Sequence, residues 1–105
     1  MNVNTGFRNA ENTADEKAAV GGSWKEYWKT FTREDFPKVC PFCGKALAEE
    51  ETDGCHVNIL MQDSIGRKYY SRKNYIILGH HACNMQQGDE FASSTIVSAV
   101  EAIEK

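Results

Sequence analysis

Cys40-Pro41-Phe42-Cys43-Gly44 and His80-His81-Ala82-Cys83 are two pairs of soft ligands with two residues between the members of each pair. That spacing lets a tight turn, or the first turn of a helix, aim both side chains at one tetrahedral ion. Pro41 stiffens the first turn, and Gly44 permits the positive φ such knuckles need. Cys40, Cys43, His80 and Cys83 together make a Cys3His set, a good one for structural Zn²⁺. Cys55 competes with His80 for the fourth place; His80 keeps the ligand spacing and is preferred. His81 leaves only one residue before Cys83 and reads as a surface histidine. The first residues lack a basic start followed by an apolar stretch, so the expected location is cytoplasmic. Cysteines there argue for metal or catalysis, with a disulfide pair as the minor alternative.

A second chemistry lies in Arg67-Lys68-Tyr69-Tyr70-Ser71-Arg72-Lys73, where cations and aromatics interleave. No Asp or Glu occurs between Ser64 and Gly88, although the net charge is −3. Such a run can neutralise phosphates and stack on bases. It can equally be a solvated strand edge whose cations discourage aggregation.

The chain has 105 residues, enough for one domain whose small core a metal staple would reinforce. Residues 1–22 carry few large apolar groups and read as a disordered tail, leaving 23–105 as the single domain. Ser23 with Glu26 has capping-box spacing, and Trp24, Tyr27, Trp28 and Phe31 then share one helical face. These aromatics are expected to cover the metal module, in preference to stacking on bases. After the knuckle, Cys55–Gln62 reads as a strand, Asp63–Gly66 as a turn, and Lys68–Leu78 as a return strand interrupted around Ser71–Asn74. A helix is expected from His81 to Gln87, and a last one capped by Ser93 or Ser94, with Ile96, Val97, Val100 and Ile103 on one face. The resulting class is α+β: a zinc-stapled treble clef, in the order knuckle, hairpin, ligand-bearing helix, with flanking N- and C-terminal helices. No apolar run approaches a membrane span.

Gly54-Cys55-His56-Val57, Tyr75-Ile76-Ile77-Leu78 and the pair ending in Cys83-Asn84 resemble an HNH domain over about Val39 to Phe91. The closer likeness is to a small HNH-like subgroup with a Gly-Ala-His-Val strand and a Cys-x-x-Cys-Asn helix start. The resemblance implies a ββα-metal core that, in active members, cuts phosphodiester bonds. It implies His56 as general base and Asn84 as a ligand of a second, catalytic divalent ion. Imidazole suits the first task because it titrates near neutrality. Cys55 stands where active members place Asp or His, and a thiol is a poor ligand for Mg²⁺. The asparagine that orients the base has no counterpart in register, since Asn74 is one residue away.

Three functions therefore compete. The first is a non-catalytic zinc module contacting nucleic acid through Arg67, Lys68, Tyr69, Tyr70, Arg72 and Lys73. The second is a metal-dependent HNH endonuclease using His56 and Asn84. The third is a structural zinc domain for a protein partner. The degenerate catalytic site favours the first, and a monomer with no membrane association is expected.

Overall fold

Both faces of the central strand carry side chains that must be buried, and the fold is the answer to that requirement. The computed structural model describes residues 2–3, 6–10, 22–84, 90–92 and 97–103. The strands are β1 (Asn2–Val3), β2 (Gly6–Asn9), β3 (Thr52–Gln62), β4 (Lys68–Tyr70), β5 (Tyr75–His80), β6 (Glu90–Ala92), β7 (Val97–Ser98) and β8 (Val100–Glu101). The helices are α1 (Trp24–Thr32) and α2 (His81–Asn84), with a 3₁₀ turn at Glu49–Glu51. The antiparallel sheet runs β6-β2-β3-β5-β8, and β4 also pairs with β3. A separate two-stranded ribbon joins β1 to β7.

Side chains alternate across a strand, so β3 and β5 each serve two cores. Cys55, Val57, Ile59 and Ile77 pack with Phe7, Cys40, Phe42, Leu47 and Cys83. Ile76 and Leu78 point the other way and meet Tyr27 and Trp28 of α1. The aromatic stripe therefore builds a second core behind the sheet instead of covering the cysteine side. Phe31 is only partly used, with 55% of its surface exposed.

Local chemistry explains the element ends. The Ser23 side chain accepts from the Glu26 N–H, and Arg33 closes α1 in the left-handed region with its N–H on the Lys29 carbonyl. At the β3–β4 turn, Asp63 Oδ1 accepts from the N–H groups of Ile65 and Arg67, and Gly66 has φ +88°. The expected break in the return strand is present. Ser71 Oγ accepts from the Ile59 N–H at 2.9 Å and donates to the Lys73 carbonyl at 2.8 Å. A side chain thus supplies what the ladder loses between β4 and β5.

Two sequence expectations are corrected. The segment assigned to a disordered tail contributes β1 and β2, with Phe7 buried in the main core; residues 11–21 lie outside the described residues. One phenylalanine among polar neighbours carries no strand periodicity, so composition hid β2. The C-terminal helix is replaced, in its described part, by β7 and β8. Its proposed caps, Ser93 and Ser94, lie outside the described residues. The β-branched valines suit strands, and tertiary bonds hold them there. The Trp28 indole N–H donates to the Ser98 carbonyl, while the Tyr27 hydroxyl donates to the Glu101 carbonyl and accepts from the Ile103 N–H. The other helix, α1, packs across the sheet as part of the fold and does not flank it. Of the expected 81–87 helix, His81–Asn84 is helical, and residues 85–87 lie outside the described residues.

Candidate metal centre

The knuckle is built by backbone bonds. The Gly44 N–H donates to the Cys40 carbonyl at 2.8 Å, and the Cys40 N–H donates to the Lys45 carbonyl at 2.9 Å. Gly44 takes φ +74°, as the turn requires. A Val39–Ala46 bridge closes the loop. Gly79 on β5 lets the knuckle lie against the sheet, because a Cβ there would be 2.6 Å from a Phe42 ring carbon. The end of β5 and the start of α2 deliver His80 and Cys83. The buried Asn9 side chain steadies that start by donating to the Cys83 carbonyl at 3.0 Å.

These elements bring the ligand atoms of Cys40, Cys43, His80 and Cys83 within 4.8 Å of one another. Cys40 and Cys83 Sγ are 4.0 Å apart, and Cys43 Sγ is 3.3 Å from His80 Nδ1. A tetrahedral zinc with thiolates at about 2.3 Å has sulfur–sulfur edges of about 3.8 Å. The group therefore fits an ion such as zinc. With His80 Nδ1 turned to the sulfurs, its Nε2–H donates to the Ala46 carbonyl at 3.0 Å, which fixes the ring. The His80 backbone N–H donates to Cys40 Sγ at 3.4 Å, a bond that stabilises a thiolate.

The thiols are electrostatically unequal. The Lys45 N–H, and then His80, draw Cys43 down to about 7. Burial, and then the neighbouring charge of Cys40, push Cys83 up to about 12. A cluster that accepts one negative charge and resists the next is one in which a divalent cation reverses the balance.

Cys55 lies outside this group of four. It is buried in the main core, its thiol donates to the Asp53 carbonyl at 3.5 Å, and burial raises its pKa. His56, the next residue, points to the opposite face. It is 6% exposed and meets Trp24 edge-on, with ring centroids 4.5 Å apart. Asn74 is not beside it: Asn74 Oδ1 accepts from the Asn58 side chain, and the cross-strand partner of His56 is Ile76. Asn84 falls at the end of α2. The exposed His81 Nδ1 contacts Asp53 Oδ2, a partner that lies 28 residues away in sequence and that linear spacing did not suggest.

The cation-rich run is divided by the sheet. Arg67 is bonded to Asp63, Lys73 pairs with Glu101 at 3.5 Å, and Lys68 and Arg72 are exposed. Tyr69 and Tyr70 occupy successive strand positions and so opposite faces. Arg8, unsuspected from sequence, lies over the Tyr70 ring at 4.2 Å from its centroid. A separation of 62 positions left no sequence signal for this pairing.

No protein-family model, curated protein or solved structure matches this chain. Among the described residues no helix is long and apolar enough to cross a membrane.

Proposed function

We propose that the chain is a zinc-stapled, HNH-like module whose metal is structural and whose β3–β4 hairpin contacts nucleic acid. The observation that carries the metal half is the convergence of four protein donors, which fill a tetrahedral shell and leave no position for a substrate. Bound zinc would tie the knuckle to the β5–α2 junction. The order of knuckle, hairpin and ligand-bearing helix supports the treble-clef reading and the HNH likeness.

Support for the nucleic-acid half comes from the hairpin's composition. Arg67, Lys68, Arg72 and Lys73 interleave with Tyr69 and Tyr70 along the chain, and the acidic 49–53 segment lies at the opposite end of β3. The endonuclease alternative needs His56 at a surface with a hard-cation site. Its burial against Trp24 supports a packing role instead. The third alternative is a structural zinc domain for a protein partner.

The test is a titration of the zinc-loaded chain with oligonucleotides at low salt, alongside a variant with all four cations changed to Gln. Binding that weakens steeply with salt and disappears in the variant supports the reading. Absence of binding at low salt, or full binding by the variant, refutes it. Cleavage in Mg²⁺ or Mn²⁺ that is abolished by His56→Ala in a folded variant would establish the endonuclease instead.

A further inference from the structure

We propose that the ligand is single-stranded nucleic acid, and that it lies on the outer half of one sheet face with a base stacked on the Arg8 guanidinium. This rests on the nucleic-acid reading above and narrows it to one face, one strand state and a residue outside the hairpin.

The register defines the face. Arg8 is the cross-strand partner of Asn58, Leu60 of Tyr70, and Gln62 of Lys68. Residues 58, 60 and 62 alternate to the same side of β3, so all six side chains share that side. It is the side on which α1 packs, but α1 covers the other end, where Trp24 sits on Gly54 and His56. At the outer end Arg8, Gln62 and Lys68 are exposed, and Asn58, Leu60 and Tyr70 are half-buried. Beside it, at the end of β3 beyond its pairing with β2, is a cavity of about 320 Å³ whose lining among the described residues is Leu60, Met61, Gln62 and Lys68.

The chemistry of this half-face is specific. It offers two cations, a planar stack, three amide or apolar neighbours, and no carboxylate among those six side chains. Asp63, at the hairpin turn, accepts from Ile65, Arg67 and the Arg67 guanidinium, so its charge is answered locally. Glu90 is the register neighbour of Arg8 on β6. It stands on the far side of Arg8 from Lys68, so a strand running from Arg8 toward Lys68 leads away from it.

Tyr70 is half-buried and Arg8 exposed, so Arg8 is the outer member of the pair, with the ring beneath its guanidinium carbon. A guanidinium plane stacks on bases and carries charge for phosphates. Only unstacked bases can use that plane; a duplex keeps its base faces covered and would see the charge alone. A base on Arg8, with the next phosphate toward Lys68 and the cavity beside it, uses every feature of the half-face.

The experiment measures binding of the zinc-loaded full chain to labelled oligothymidylate, oligouridylate and a duplex of equal length. Wild type and Arg8→Lys are compared, with zinc content and melting recorded for each. The expected result is preference for the single strands. Arg8→Lys keeps the charge and loses the plane, and should weaken single-strand binding by about fivefold or more while leaving the salt slope intact. Oligothymidylate and oligouridylate binding equally would mean that sugar is not read; a preference for either keeps the assignment and names the source. Equal or tighter duplex binding, or no effect of Arg8→Lys on the single strands, overturns this inference while the broader reading stands. Failure to bind any of the three overturns both.

Discussion

Gly54→Ala isolates the contact on which the second core depends. A Cβ at Gly54 would lie 2.5 Å from both the carbonyl carbon and the Cβ of Trp24, and 2.7 Å from the Lys25 nitrogen. Unstrained carbon contacts lie at about 3.5–4.0 Å, so the first turn of α1 must retreat by about 1 Å. Two of the three atoms belong to backbone, which cannot rotate away as a flexible side chain would. Overpacking of this kind costs about 1–3 kcal/mol, and the rigid neighbours place Gly54→Ala near about 3 kcal/mol. Undocking α1 would be no escape, because it would expose Tyr27 and Trp28, and losing a single large buried aromatic already costs about 3–5 kcal/mol. With about 4–8 °C lost per kcal/mol in a domain of this size, the melting temperature should fall by roughly 12 °C or more. Gly44→Ala is the comparison: its Cβ meets open space, and only φ +74° opposes it, at about 1–2 kcal/mol. The assay is urea and thermal unfolding of zinc-loaded protein, with zinc measured in the same samples. Gly54→Ala should keep its zinc, because the metal group lies on the opposite side of β3. A loss below about 0.5 kcal/mol, or loss of zinc from the folded protein, would refute the packing of α1 on Gly54.

Two further outcomes follow from particular contacts. Cys83→Ser should lose zinc and unfold the sheet's cysteine side, whereas Cys55→Ser should retain one zinc per chain, as metal analysis of purified protein would show; the reverse pattern would put Cys55 in the ligand set. Ser71→Ala should cost about 1–3 kcal/mol in urea unfolding, because the Ile59 N–H is left without the acceptor that bridges the strand break.

The knuckle, the hairpin, the capped helix and the paired ligands were legible because each is a local signal. Cys40 to Gly44, Asp63 to Gly66 and Ser23 to Glu26 each lie within one turn of chain. What escaped was long-range. Phe7 gave no sign that β2 pairs with residues 57–59, and Arg8 gave none that it meets Tyr70. Val97 and Val100 fit a helical face as well as they fit short strands. The pairing of β8 with β5 and of β7 with β1, together with the bonds from Trp28 and Tyr27 to the Ser98 and Glu101 carbonyls, decides between the two. His56 matched a motif by type and neighbours, but strand alternation sets its direction, and it sends the imidazole under Trp24, away from the cysteines.

The central claim is the Cys3His ligand set, and X-ray absorption at the zinc edge of the purified chain tests it most directly. A Cys3His centre predicts one zinc per chain with three sulfurs at about 2.3 Å and one nitrogen at about 2.0 Å. A folded, zinc-free protein, or a shell of four sulfurs with Cys55 in place of His80, would contradict it.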